Sequence, residues 1–300
     1  IFITNGCMPA LALLIQQLSL QGDSILIPTP TFNGQLQLIA GLKRRIIETP
    51  ADATGIDLVR LEQAMAEHRP KLCLLTANFQ NPLGYVLSDV DKQKIAQLAA
   101  QYHCIILEDD IYAECSYQGQ RPLPIKYWDQ HGYVVWVGSV SKSLSTAYRV
   151  GWFCIGGQLK AMYPEFYSAN ISVNTPLQLG LADFIYSREY RNHLSRLQPQ
   201  LMQQVEQYRR YILKAFAPLN IGLSQPQGGY ALWLELPQKI DSLALYLAAQ
   251  QHQINIVPGV VFGEDERYQH FVRLNAGHAL TPQLQEAILF LAEWVKQAVD

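Results

Sequence analysis

No stretch of the 300-residue chain is apolar for long enough to cross a bilayer as a helix, and its start lacks the order of a signal peptide. We therefore expect a soluble chain with no membrane partner. The five cysteines, Cys7, Cys73, Cys104, Cys115 and Cys154, form no C-x-x-C pair, and Cys73, Cys104 and Cys154 sit inside apolar runs. Packed, reduced thiols fit a cytoplasmic location. The seven histidines show no H-E-x-x-H or comparable spacing, so no metal is expected. Neither sign of charge is in excess: the formal net charge is −2 and the cations are scattered, whereas a segment that grips nucleic acid carries a basic face. Direct DNA binding by this stretch is not expected. Two nucleotide signatures are also missing, since no G-x-G-x-x-G occurs and Ser141, not glycine, precedes Lys142. The chain opens at "IFITNG" without an initiator methionine, and we read it as part of a longer protein.

What is present is 49% hydrophobic residues, enough for a large core and a length that suits roughly two domains. Short apolar runs ("IFIT", "SILIPTPTF", "KLCLLTANF", "CIILEDD", "YVVWVGSVS") alternate with helical patterns such as Pro9–Gln21, Asn33–Leu42 and "LSDVDKQKIAQLAAQYH". Near-continuous apolar strands separated by amphipathic helices require a mainly parallel open sheet covered on both faces, an α/β architecture. After Tyr190 the pattern changes to a long helix, Leu194–Phe216, and the alternating strand "GGYALWLELP". A helix Ser242–Gln251, short strands "INIVPG" and "FVRLNAG", and a closing helix Pro282–Val299 follow. We expect a large domain over 1–190 and a smaller α+β domain over 191–300.

Ligands of open α/β sheets bind beyond the carboxyl ends of the strands, so the residues just after each apolar run deserve inspection. "TNGCMPAL" offers a turn and a helix start whose free amides at Cys7 and Met8 suit an anion; an ordinary capped helix reads the same way. Phe32 in "PTPTF" suits either the core or a flat ligand. Asn81 in "NFQNPLG" marks a plain turn or aims an amide donor into a cleft. In "CIILEDDIY", Asp109 stands at a strand tip with Tyr112 three residues on, and a carboxylate in a dry cleft demands a cation. "VGSVSKSLSTAYR" supplies Ser139, Lys142 and Arg149, although a lysine there is ordinarily a surface residue.

Together these tips offer an anion cradle, a flat aromatic, an amide, a carboxylate with a tyrosine, and a lysine with an arginine, which one ligand uses in full: pyridoxal 5′-phosphate. In the phrases "TNGCMPAL", "NFQNPLG", "EDDIYAE", "SKSLSTAYRVGW", "PQGGYALWLELP" and "RLNAGH", from Thr4 to the last helix, the chain resembles a fold-type I pyridoxal-phosphate protein of the aminotransferase class I/II superfamily. Within it the phrases are most similar to the aminotransferase-like domain of MocR-type regulators, a branch of the GntR family. The resemblance implies a Schiff base on Lys142, Asp109 paired with the cofactor's ring nitrogen, and Asn81 and Tyr112 on its phenolic oxygen. It further implies Phe32 stacked on the ring, the phosphate held by Ser139, Arg149 and the Cys7 and Met8 amides, and Arg273 on a substrate's α-carboxylate. Pro9 departs from the pattern, standing where relatives commonly carry a residue with an N–H. By the same resemblance the domain is a homodimer that takes a small amino compound and reaches DNA only through a domain outside this chain. Two functions follow: the effector-sensing domain of a transcription regulator, or a working aminotransferase moving the amino group of an α-amino acid to a 2-oxo acid.

Overall fold

A computed structural model describes residues 1–170, 172–264 and 266–299, apart from the side chain of residue 158. Its larger sheet contains β1 (Phe2–Thr4), β2 (Ser24–Thr29), β3 (Arg45–Asp52), β4 (Gly55–Ile56), β5 (Leu72–Leu75), β6 (Ile105–Asp109), β7 (Val134–Ser139) and β8 (Gly151–Cys154). Their spatial order is β1-β8-β7-β6-β5-β2-β3-β4. The run β3-β2-β5-β6-β7 is parallel, while β8 pairs antiparallel with both β7 and β1, and β4 with β3.

Every residue of β2 and β5 is buried, because helices cover both faces. These helices are α1 (Cys7–Leu18), α2 (Asn33–Gly41), α3 (Leu58–His68) and α4 (Asp89–Gln101). Successive side chains of a strand point to opposite faces, and the core divides accordingly. Leu26, Cys73, Leu75 and Ile106 pack with Leu61 and Met65 of α3 and Ile95 and Leu98 of α4. Ile25, Ile27, Leu74 and Leu107 pack with Leu11 and Leu14 of α1 and Leu36 and Ile39 of α2.

After β8 come α5 (Tyr163–Ala169), α6 (Thr175–Tyr186) and α7 (Arg188–Ala215), then β9 (Gly222–Leu223), β10 (Ala231–Glu235), α8 (Ser242–Gln251), β11 (Val257–Pro258), β12 (Phe271–Asn275) and α9 (Pro282–Val299). The second sheet, β11-β12-β10-β9, is antiparallel. Leu232, Leu234, Val272 and Leu274 on it pack against Val205 and Ile212 of α7, Leu245 of α8, and Ile288 and Leu291 of α9.

Several boundaries differ from the sequence reading, each for a local reason. α1 begins at Cys7 rather than Pro9, since proline is tolerated within a helix's first turn, where its missing N–H breaks no intrahelical bond. α7 begins at Arg188 rather than Leu194 because the Ser187 hydroxyl accepts from the Tyr190 amide and caps it. "INIVPG" yields only the two-residue β11 at a sheet edge. Among the described residues, no helix is long and apolar enough to cross a membrane.

Candidate functional site

The parallel strands β2, β5, β6 and β7 all deliver their carboxyl ends to one rim of the sheet, where a cleft is lined by Phe32, Gln35, Thr76, Asn81, Asp109, Ile111, Tyr112 and Lys142. Five of the residues singled out in the sequence therefore meet in one hollow: Phe32, Asn81, Asp109, Tyr112 and Lys142. Gln35, Thr76 and Ile111 were not anticipated there.

Strand alternation explains why only one of the three acids in "EDD" enters the cleft. Glu108 and Asp110 point to the α4 side: Glu108 accepts from the amides of Ile125 (2.7 Å) and Lys126 (3.0 Å), and Asp110 accepts from Asn78 Nδ2 and Trp136 Nε1 (both 2.8 Å) and pairs with Arg121. Asp109 points to the α1/α2 side. Its Oδ2 accepts from Gln35 Nε2 at 2.8 Å, and its Oδ1 from the Cys7 thiol at 3.4 Å and the Ile111 amide at 3.3 Å. Burial pushes the Asp109 carboxyl up, and the bonds from Cys7, Ile111 and Gln35 oppose it. Burial also pushes the Cys7 thiol well up, so it stays protonated and able to donate.

Burial, and after it Asp110, pushes the Glu108 carboxyl up, and the amides of Ile125 and Lys126 oppose that push.

Lys142 follows β7 and is half-buried. Burial pushes its amine down from the ordinary lysine value; the Asp109 carboxylate pulls the other way and the Arg273 guanidinium reinforces the downward push. A lysine held toward its neutral form is a nucleophile. Its Nζ lies 5.4 Å from the centroid of the Tyr112 ring and 5.9 Å from that of Tyr230. Tyr230, a further residue that sequence reasoning passed over, meets Tyr112 edge-on at 5.5 Å between ring centroids. Arg273 reaches this neighbourhood from β12 of the second sheet and acts electrostatically on both Tyr112 and Tyr230.

Cys7, Met8, Ser139 and Arg149 do not line the cleft with their side chains; they gather beside it at the start of α1 or pack beneath it. The Met8 side chain packs into the core, leaving its amide in the first turn, where helix geometry supplies no acceptor. Arg149 Nη2 donates to the Asn5 carbonyl at 2.8 Å. It also lies over Gly6, whose φ of +103° and proximity to Nη2, 3.0 Å from an added Cβ, both call for glycine. Ser139 Oγ donates to the Val150 carbonyl at 2.8 Å and accepts from the Ser141 amide at 3.1 Å, so it braces the turn after β7 against β8. Gly151 sits equally close, since a Cβ there would stand 2.6 Å from the Gly6 carbonyl carbon and 2.9 Å from the Cys7 nitrogen. Gly151→Ala must displace the start of α1. Its expected cost is about 1–3 kcal/mol in a denaturation curve, with faster loss of bound phosphate ligand on dialysis.

The family model for aminotransferase class I and II matches residues 1–289. The chain belongs to that family. It is 34% identical over 298 residues to the uncharacterized HTH-type transcriptional regulator YdcR of Escherichia coli, covering 99% of this chain and 64% of that protein. It is 28% identical to aromatic-amino-acid aminotransferase 1 of Thermococcus litoralis, covering 99% of this chain and 72% of that one. Among solved structures, the kynurenine aminotransferase of Pyrococcus horikoshii, crystallised in complex with PMP, superposes with a TM-score of 0.88 at 26% identity, over 100% of this chain and 75% of that one. The expected fold, a fold-type I transferase with an α/β large sheet, is what the structure and these neighbours have. The chain spans just under two thirds of the length of the regulator it matches.

Class I and II aminotransferases imply pyridoxal phosphate, and the residues present fit it. Among the described residues, Arg273 Nε is a buried donor without a hydrogen-bond partner, able to meet an acceptor on a ligand. The cleft joins an amine, a carboxylate, a phenol and an aromatic face, with the start of α1 and an arginine beside it.

Proposed function

We propose that this is the pyridoxal-phosphate-binding, aminotransferase-like domain of a MocR/GntR-type regulator, sensing a small amino compound. The observation that carries it is the convergence of Lys142, Asp109, Asn81, Tyr112 and Phe32 in one cleft, beside an α1 start covered by Arg149. Pyridoxal phosphate, when bound, supplies an aldehyde that condenses with amines and a ring that accepts electrons from the adjacent bond.

Each residue has a task that its position suits. Lys142 would hold the cofactor covalently through Nζ, the place an incoming amine would take. The freed amine would carry a proton, a role helped by burial, which pushes it down from the ordinary lysine value. Asp109 would face the cofactor's ring nitrogen, Asn81 and Tyr112 its phenolic oxygen, and Phe32 its flat face. Arg149 and the amides of Cys7 and Met8 would hold the phosphate; Ser139 joins them by turning its one hydroxyl hydrogen away from the Val150 carbonyl. Arg273 takes the carboxylate of the amino compound, giving its unpartnered Nε an acceptor.

The regulator reading is supported by matches to YdcR and to the uncharacterized HTH-type regulator YjiR of Escherichia coli, 34% and 30% identical over essentially the whole of this chain. On that reading the large domain is 1–190 and the small one 191–300. The protein is a cytoplasmic homodimer, and DNA is gripped by a domain outside this chain. The second reading, a working aminotransferase, is favoured by the solved aminotransferases that share the fold. The two separate by turnover. On titrating the loaded protein with α-amino acids in the presence of a 2-oxo acid as amino acceptor, the regulator reading expects one of them to change the visible spectrum while releasing no more than one keto acid per site. Sustained keto-acid release with that amino acid assigns the enzyme instead.

A further inference from the structure

Asp109 is 4% exposed, and both of its oxygens are already met from within the chain. The two contacts of most interest come from different helices. Gln35, 1% exposed in the first turn of α2, donates from Nε2 to Oδ2 at 2.8 Å. Cys7, the first residue of α1, donates its thiol hydrogen to Oδ1 at 3.4 Å. Both ends of the Gln35 amide are engaged, because the Thr31 hydroxyl donates to Gln35 Oε1 at 2.9 Å. The NH2 end faces Asp109, and an NH2 group can only donate. The Ile111 amide on the other oxygen is likewise only a donor. A protonated carboxylic acid would set an O–H against one of these N–H groups, so the arrangement suits the ionised form.

We propose that Gln35, oriented by Thr31 and assisted by Cys7, is a positioning residue that holds Asp109 ionised and aimed at the cofactor's ring nitrogen. This rests on the reading of the cleft as a pyridoxal phosphate site. Gln35 touches no reacting atom; it acts through Asp109, and through Asp109 on whether the ring nitrogen keeps its proton. Cys7 adds a mechanical link, since its amide belongs to the α1 start beside Arg149 while its thiol braces the carboxylate. The two ends of the bound group would thus be fixed relative to one another by a single residue.

The test reads the pH midpoint of the visible band of the pyridoxal-phosphate-loaded protein, without turnover. A protonated ring nitrogen disfavours a second positive charge on the nitrogen that joins Lys142 to the cofactor, so losing the ring proton moves that midpoint upward. Asp109→Asn is expected to raise it by about one pH unit or more, and Gln35→Leu by about half a unit. Thr31→Val keeps the volume of the residue but removes the donor to Gln35 Oε1, so that Gln35 is held less firmly against Asp109, and it should shift the midpoint in the same direction. If Asp109→Asn moves the midpoint while both Gln35→Leu and Thr31→Val leave it at the natural value, the role of Gln35 is overturned and the reading of the site stands. If Asp109→Asn itself leaves the midpoint unchanged, the reading of the site fails, and the positioning role with it.

Discussion

Lys142→Ala is expected to abolish the visible absorbance of the protein after incubation with pyridoxal phosphate and gel filtration. The reasoning starts from placement. Among the described residues, Lys142 is the lysine that lines the strand-tip cleft, and it shares that cleft with Asp109 and Tyr112. Burial pushes its amine down toward the neutral form that attacks an aldehyde. Other lysines, such as Lys94 and Lys126, are occupied by carboxylates, Glu62 at 3.1 Å and Asp129 at 2.8 Å. An alanine at 142 leaves the phosphate contacts in place, so the variant should still bind the cofactor weakly and lose it on the column. Retention of the full band in the variant would assign the covalent bond to another amine.

The second large effect is expected at Arg273. This guanidinium stands on β12, opposite Trp233 of β10 and Val257 of β11, in a strand otherwise built for the core. Among the described residues its Nε has no hydrogen-bond partner, which is costly for a buried donor unless a ligand supplies an acceptor. A carboxylate gripped by a largely desolvated arginine is typically worth roughly 3 kcal/mol, so Arg273→Gln should weaken binding of the responsive amino acid on the order of 10²-fold. An amine of the same shape without the α-carboxylate should bind both proteins equally. Equal loss for both ligands would mean that Arg273 supports the cleft rather than reading the carboxylate.

The strand tips were legible because the fold obeys a simple rule: an apolar run buried on both faces has to end where the chain leaves the sheet, and ligands bind there. That rule brought Phe32, Asn81, Asp109, Tyr112 and Lys142 together from four separate segments. Gln35 was harder to see. In "NGQLQLIAG" it differs from Gln37 only in helical phase, lying one turn before the buried Ile39, whereas Gln37 is exposed. Ser139 was legible in place but not in its bonding, since its contact with Val150 depends on β8, an antiparallel strand that the apolar-run pattern did not mark. Helix α6 was missed for a related reason. It buries only Leu181 and leaves Leu179 and Tyr186 exposed, so it carries no stripe of the kind that marks a helix packed on a core. β3 begins and ends with an exposed charged residue, contains Pro50 and buries only Thr49, which hid it among the loops.

The claim that Lys142 is the covalent anchor is tested most directly by fixing the cofactor in place. The natural protein is incubated with pyridoxal phosphate, reduced with borohydride, digested and mapped by mass spectrometry. A single phosphopyridoxyl adduct on the peptide containing Lys142 is the predicted result. An adduct on a different lysine, or none at all, would contradict it.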